Sequence, residues 1–348
     1  MPEVVRESAR RGEPRPEGGE DRLVVLADPA IGFAPPLAAA ALATVRTVPG
    51  LRAVALVDAA ASAPPRLAGA ALRVARAVAS RAFPPPGGRC PRWRRTSLRS
   101  LARRHRVPLI VPPGRDVDDA GLRHRLAALG ANLALSVGCR QVFGPALLAS
   151  FDVAVNFHDG LLPDYRGLAA TSWSVYRGEA HSGFAFHHMV AELDAGPVLL
   201  AGALPSGEGA DPLDLLRRKA DLAARRIGEV LAAMRRRDPG TPQPPGGVYF
   251  GRADRLRICE VGDPGALDWT ELRRRLAAFG AVLLDLGGRR WEVTALETVD
   301  GAAGPAGGNE LVFRTRDGVL ARPVRFRHLP RGLYVIAERL RPVLGGAW

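Results

Sequence analysis

The chain of 348 residues has one lysine and three cysteines, and only 6% of it is aromatic. Each shortage excludes something. Cys90, Cys139 and Cys259 are too widely spaced for a disulfide framework or a CxxC metal pair. A reducing compartment is the simple reading. No run of about 18 or more apolar residues is free of charge, so no membrane span is expected. The opening MPEVVRESARRGEPRPEGGEDR lacks the apolar centre of a signal peptide. It reads as a disordered lead over 1–22 of a cytoplasmic protein. After the first apolar run the chain continues Asp28-Pro29-Ala30-Ile31-Gly32, without the glycine fingerprint of a dinucleotide site. No serine or cysteine stands out as a nucleophile.

What is present is arginine. The formal net charge is +14, and Lys219 is the only basic residue among lysine and arginine that is not Arg. A basic surface follows, but charge alone does not establish a nucleic-acid partner.

Short apolar runs alternate with helical patterns. Strands are expected at 23–27, 51–57, 107–111 and 132–137, and helices at 37–45, 67–82, 96–106, 120–129 and 145–150. That alternation predicts an α/β fold, a Rossmann-like, mostly parallel sheet covered on both faces. Further strands are expected at 183–189 and 198–203, then a long surface helix over 211–237. The stretch 238–247 is rich in Pro and Gly and reads as a linker. Domains are therefore expected at 23–237 and 248–345. In the second, Asp268 caps a helix running to Phe279, with Glu271 in capping-box position. Strand-like runs at 281–286, 290–296, 311–315 and 319–326 predict a small, OB-like β-barrel.

The apolar run 151–155 reads as a buried strand that delivers Asn156 and His158 at its C-terminal end. Side-chain alternation puts both on one face, and that edge of an α/β sheet is where ligands bind. Asp194 follows in a Gly-flanked loop. An amide donor, an imidazole and a carboxylate are what acyl transfer to an amine needs. The first two can stabilise an oxyanion, and the third can orient the imidazole and favour its charged form.

Asn156-x-His158, Leu161-Leu162-Pro163, Tyr165-x-Gly167, Gly178-Glu179, Gly183 and Leu193-Asp194-x-Gly196-Pro197 together resemble the formyltransferase family. Its members include glycinamide ribonucleotide, methionyl-tRNA and sugar-amine formyltransferases. The resemblance implies 10-formyltetrahydrofolate as formyl donor and direct attack by a substrate amine. It makes Asn156 and His158 the oxyanion-stabilising pair and gives Asp194 to proton transfer. It places the folate along Gly138, Cys139, Arg140, Gln141 and Val142, with Leu162, Pro163, Glu192, Leu193 and Gly196. Phe157, Asp159, Tyr165, Gly167, Thr171 and Trp173 are the candidate acceptor contacts. The Asp268-Trp269 helix and barrel look like the C-terminal domain of the methionyl-tRNA enzyme.

Asp159-Gly160 and Ala169 to Trp173 look more like formyltransferases of specialised metabolism, acting on nonribosomal peptides or amino sugars. The expected acceptor is therefore a small-molecule or carrier-bound amine, with a carrier protein as one partner this admits. Methionyl-tRNA formylation and 10-formyltetrahydrofolate hydrolysis are the alternatives. Arg92, Arg94 and Arg95, with Trp93, are candidates for binding tRNA phosphates, a phosphopantetheine arm or a nucleotide sugar. His187 and His188 have no third ligand at diagnostic spacing, so no metal is expected there; strand packing or substrate contact is.

Overall fold

The computed structural model describes residues 19–60, 97–207, 209–299 and 311–328. The expected helix at 67–82, the residues Cys90 and Arg92 to Arg95, and most of the N-terminal lead lie outside the described residues. The first strands are β1 (Asp21–Ala27), β2 (Leu51–Asp58), β3 (Leu109–Ile110), β4 (Leu133–Val137) and β5 (Val153–His158). After β6 (Arg166–Gly167) come β7 (His181–His188) and β8 (Val198–Pro205). Seven of these form one sheet in the order β3-β2-β1-β4-β5-β7-β8. Neighbours from β3 to β5 run parallel, and β7 and β8 are antiparallel additions.

Both faces of this sheet are covered, which is why its strands read as near-continuous apolar runs. On one face Leu23, Val25, Leu133, Leu135 and Val155 pack against helices α1 (Ala34–Thr44), α2 (Leu98–His105) and α6 (Pro212–Arg235). On the other, Val24, Leu26, Ala134 and Ala154 meet α3 (Ala120–Ala128) and α4 (Pro145–Leu148). Helix α6 is the expected long helix, started by Asp211, whose side chain accepts from Leu213 N.

Beyond 247 the chain forms β9 (Tyr249–Phe250), α7 (Arg252–Cys259), β10 (Glu260–Gly262) and α8 (Trp269–Phe279). Then come β11 (Val282–Leu286), β12 (Arg289–Thr298), β13 (Phe313–Arg314) and β14 (Leu320–His328). Five strands make a second sheet, β10-β11-β12-β14-β13, consistent with a small barrel-like domain. Asp268 caps α8 by accepting from Glu271 N. The Glu271 carboxylate turns to Tyr176 Oη at 2.8 Å and Arg275 Nε at 2.7 Å.

That tyrosine belongs to α5 (Ala170–Tyr176), and α5 joins the two parts of the chain. Trp173 stacks on Phe250, with ring centroids 4.4 Å apart, and meets Phe279 edge-on at 4.9 Å. The sequence reading contained neither β9 nor α7. Two residues of strand carry too little pattern to be read, and α7 has only one buried side chain, Cys259.

Candidate active site

Strand β5 ends at the C-terminal edge of the sheet and carries Asn156 and His158 there, on the same face. Strand β7 runs antiparallel to it with Asn156 opposite His187. The Asp194 loop lies between β7 and β8, where the Asp194 backbone is left-handed, with φ at 55°. These elements bring together four side chains.

His158 is 5% exposed, and its Nε2 lies 2.5 Å from the Tyr165 carbonyl oxygen. A carbonyl can only accept, so Nε2 carries a proton. His187 is 2% exposed, and its Nδ1 lies 2.9 Å from the His188 carbonyl oxygen, which fixes a proton there in the same way. The remaining nitrogen of each ring faces the same carboxylate. His158 Nδ1 is 3.7 Å from Asp194 Oδ2, and His187 Nε2 is 3.5 Å from Asp194 Oδ1. Any proton either histidine takes up must therefore land on the nitrogen facing Asp194. Asn156 Nδ2 also lies 3.2 Å from His187 Nε2; with His187 neutral that nitrogen accepts one of the two Nδ2 hydrogens and leaves the other, and with His187 protonated it donates to Asp194 instead.

Asp194 Oδ2 also accepts the Gly167 N–H at 2.9 Å. Burial alone would raise the carboxyl pKa. Pairing with His187, the charges of His158 and His187, and the Gly167 N–H outweigh it and hold the group down at about 2. Asp194 is therefore a carboxylate at any ordinary pH. Gly167 has φ at 90°, and a Cβ there would stand 2.4 Å from the Phe250 carbonyl oxygen, so only glycine brings that N–H to Asp194.

The other expected residues divide into two groups. Val142 and Leu193 are 60% and 43% exposed and present open apolar surface. Glu192 is exposed and pairs with Arg166 at 3.5 Å. Gly138 follows β4 with φ at 68°. The Arg140 side chain turns inward to buried Asp28, at 2.9 and 2.8 Å. Gln141 bridges Ala59 O and Val117 N. Burial pushes the Cys139 thiol up to about 12, so it is not a thiolate. Leu162 and Pro163 are joined by a cis peptide bond.

Four of the candidate acceptor contacts have buried side chains engaged within the protein. Phe157 is 3% exposed and packed against Phe33, Phe184 and Phe186, because alternation turns it away from Asn156 and into the core. Trp173 is 6% exposed and occupied by Phe250 and Phe279. Tyr165 is 6% exposed and its hydroxyl donates to Glu179; it serves the site through its carbonyl. Thr171 is 3% exposed, donates to Asp159 Oδ2 at 2.7 Å and accepts from Lys219 Nζ at 3.0 Å. These contacts also engage Asp159, whose carbonyl accepts from Lys219 at 2.9 Å. Among the described residues, no group of three or more His, Cys, Asp or Glu side chains is placed to hold a metal ion, and no helix is long and apolar enough to cross a membrane.

The geometry defines a class: an open α/β sheet with an amide, two tautomer-fixed imidazoles and a carboxylate converging at its C-terminal edge. Residues 98–231 match the formyl transferase family. A methionyl-tRNA formyltransferase from Cereibacter sphaeroides is 30% identical over 230 residues, covering 64% of this chain and 73% of that protein. Another, from Dechloromonas aromatica, is 30% identical over 200 residues, or 56% of this chain and 62% of that one. Among solved structures, a sugar N-formyltransferase from a Shewanella species shares the fold, with a TM-score of 0.53 at 16% identity over 79% of this chain and 97% of that one. The chain belongs to the formyltransferase family of enzymes.

Proposed function

We propose that this enzyme transfers the formyl group of 10-formyltetrahydrofolate to a primary amine of a specialised metabolite, an amino sugar on a nucleotide or an aminoacyl group on a carrier. The observation that carries the catalytic half is Asp194, ionised and held between His158 Nδ1 and His187 Nε2. The donor fits the surroundings: Val142 and Leu193 offer exposed apolar faces, while Arg140 and Gln141 turn to Asp28 and Ala59. When bound, the folate supplies an electrophilic formyl carbon.

The second hydrogen of Asn156 Nδ2 is the donor for charge developing on the formyl oxygen, a role worth roughly 3–4 kcal/mol in comparable sites. The Nε2 proton of His158 is engaged by Tyr165, so His158 donates from Nδ1 once that nitrogen is protonated. Asp194 stabilises that proton and the one leaving the amine. The nucleophile is the acceptor's own amine, which suits a chain in which no side-chain nucleophile stands out.

The acceptor class rests on the likeness of Asp159-Gly160 and the segment 169–173 to formyltransferases of specialised metabolism, and one solved structure of like fold is a sugar N-formyltransferase. A second reading, methionyl-tRNA formylation, is favoured by the relative whose length is 73% covered. The test is a mass-spectrometric screen of amines with 10-formyltetrahydrofolate for the gain of one CO, with Asp194→Asn as control. Formylated nucleotide amino sugar or carrier-bound amine is the expected product. Formylation of methionyl-tRNA alone would replace the acceptor, and transfer undiminished in Asp194→Asn would overturn the catalytic assignment.

A further inference from the structure

The stretch 238–247 has the composition of a spacer, yet it lies along the Asp194 loop. His188 Nε2 donates to Asp238 O at 2.8 Å, and Thr241 and Val198 exchange two backbone hydrogen bonds of 2.8 Å each. Two residues after Thr241 comes Gln243, whose carboxamide is fully used. Its Nε2 donates to Asp194 O at 2.8 Å and Gly196 O at 2.7 Å. Its Oε1 accepts from Arg166 Nε at 3.2 Å and Nη2 at 2.9 Å.

These four bonds reach both sides of the catalytic carboxylate. One pair grips the backbone of the loop that bears Asp194. The other grips Arg166, whose neighbour Gly167 supplies the N–H on Asp194 Oδ2. The left-handed turn at Asp194 costs an aspartate little, so what Gln243 adds is the fixed placement of the Asp194 and Gly196 carbonyls. Two backbone carbonyls on one side and a guanidinium on the other require donors and an acceptor in one planar group, which an amide alone among side chains supplies.

We propose that Gln243 is a positioning residue for formyl transfer that acts through Asp194, holding its two oxygens toward His158 and His187. The inference rests on the reading of Asp194 as the proton-handling group. It makes the junction between the two parts of the chain a component of the active site.

The test uses the full chain with 10-formyltetrahydrofolate and the acceptor amine identified by the mass screen. Gln243→Ala is expected to lower kcat about 100-fold, the scale of a misplaced catalytic group, with acceptor KM within about twofold. Gln243→Glu should lose as much despite its shape, because an oxygen replaces the donor facing two carbonyls. It also serves if the alanine variant folds poorly. Pro244→Ala, an exposed change in the same stretch, should leave kcat unaltered.

A second readout is independent of catalysis. Amide hydrogen exchange at Gly167, whose N–H is held by the Asp194 carboxylate, should quicken about tenfold or more in both Gln243 variants. In an Asp194→Asn background, adding Gln243→Ala should change the residual rate by less than about twofold. Full activity of Asp194→Asn alone would sink the reading of the site. An inactive Asp194→Asn with Gln243→Ala near wild-type kcat and unchanged Gly167 exchange would overturn the role of Gln243. So would losses that multiply in the double variant.

Discussion

Replacing Lys219 with methionine turns a buried ammonium into an apolar side chain of similar length, and pH sets the consequence for stability. Lys219 is fully buried on α6 and donates to Asp159 O and Thr171 Oγ1. Burial lowers its pKa from the ordinary 10.5 to about 8, against a smaller upward pull from Asp159. Between those values the unfolded chain holds a proton that the folded chain has shed, so stability rises with pH across the window. At about 1.4 kcal/mol per pH unit, the full gain is roughly 3 kcal/mol, most of it reached by about pH 10. The methionine variant has no such proton. Near pH 7 the two proteins should be close, because methionine removes a buried charge but leaves the Asp159 carbonyl and Thr171 hydroxyl short of a donor. Urea denaturation at about pH 7 and 10 should show wild type gaining roughly 2–3 kcal/mol on Lys219→Met. A difference that stays constant over that range would refute the argument, because the ammonium would then have to be hydrated in the folded protein.

The Asp194 carboxyl is held at about 2 against the ordinary 3.8, so its contribution is present above pH 3.8 and lost as pH falls toward 2. The gap in unfolding free energy between wild type and Asp194→Asn, from urea denaturation, should therefore be widest above about pH 5, near 2 kcal/mol, and close toward pH 2. Gly167→Ala drives a Cβ against the Phe250 carbonyl at a φ of 90°. It should cost about 1–3 kcal/mol in urea denaturation and lower turnover by displacing the N–H from Asp194. Trp173→Ala removes the stack on Phe250 and the edge on Phe279. A loss of about 3–5 kcal/mol is expected in thermal or urea melts, whereas a near-neutral result would mean the two parts of the chain are not joined through α5.

The sheet and the strand end that carries Asn156 and His158 were legible because their signals are local. Apolar runs at 23–27 and 132–137 mark strands buried on both faces, and alternation alone puts Asn156 and His158 on one side. The helix cap at Asp268 was legible for the same reason. His187 was visible as a strand histidine, but its partnership with Asn156 depends on β5 and β7 pairing antiparallel in one register. Register lies in no single strand. Phe157 and Trp173 went the other way. Their positions beside site residues suggested contact with acceptor, and only the packing of Phe33, Phe184, Phe250 and Phe279 shows them buried.

By itself, then, the sequence determined the α/β class, the strand that ends in Asn156 and His158, and the presence of Asp194 in a glycine-flanked loop. The tertiary structure decided which nitrogen of each histidine faces Asp194, since the Tyr165 and His188 carbonyls occupy the other. It also decided what holds Asp194, since Gln243 and Gly167 reach it from distant parts of the chain. The reason is physical. Local propensity and alternation are carried by residue type, whereas backbone carbonyls and N–H groups are the same at nearly every position. Which of them meets a side chain is settled only when the chain has folded back on itself.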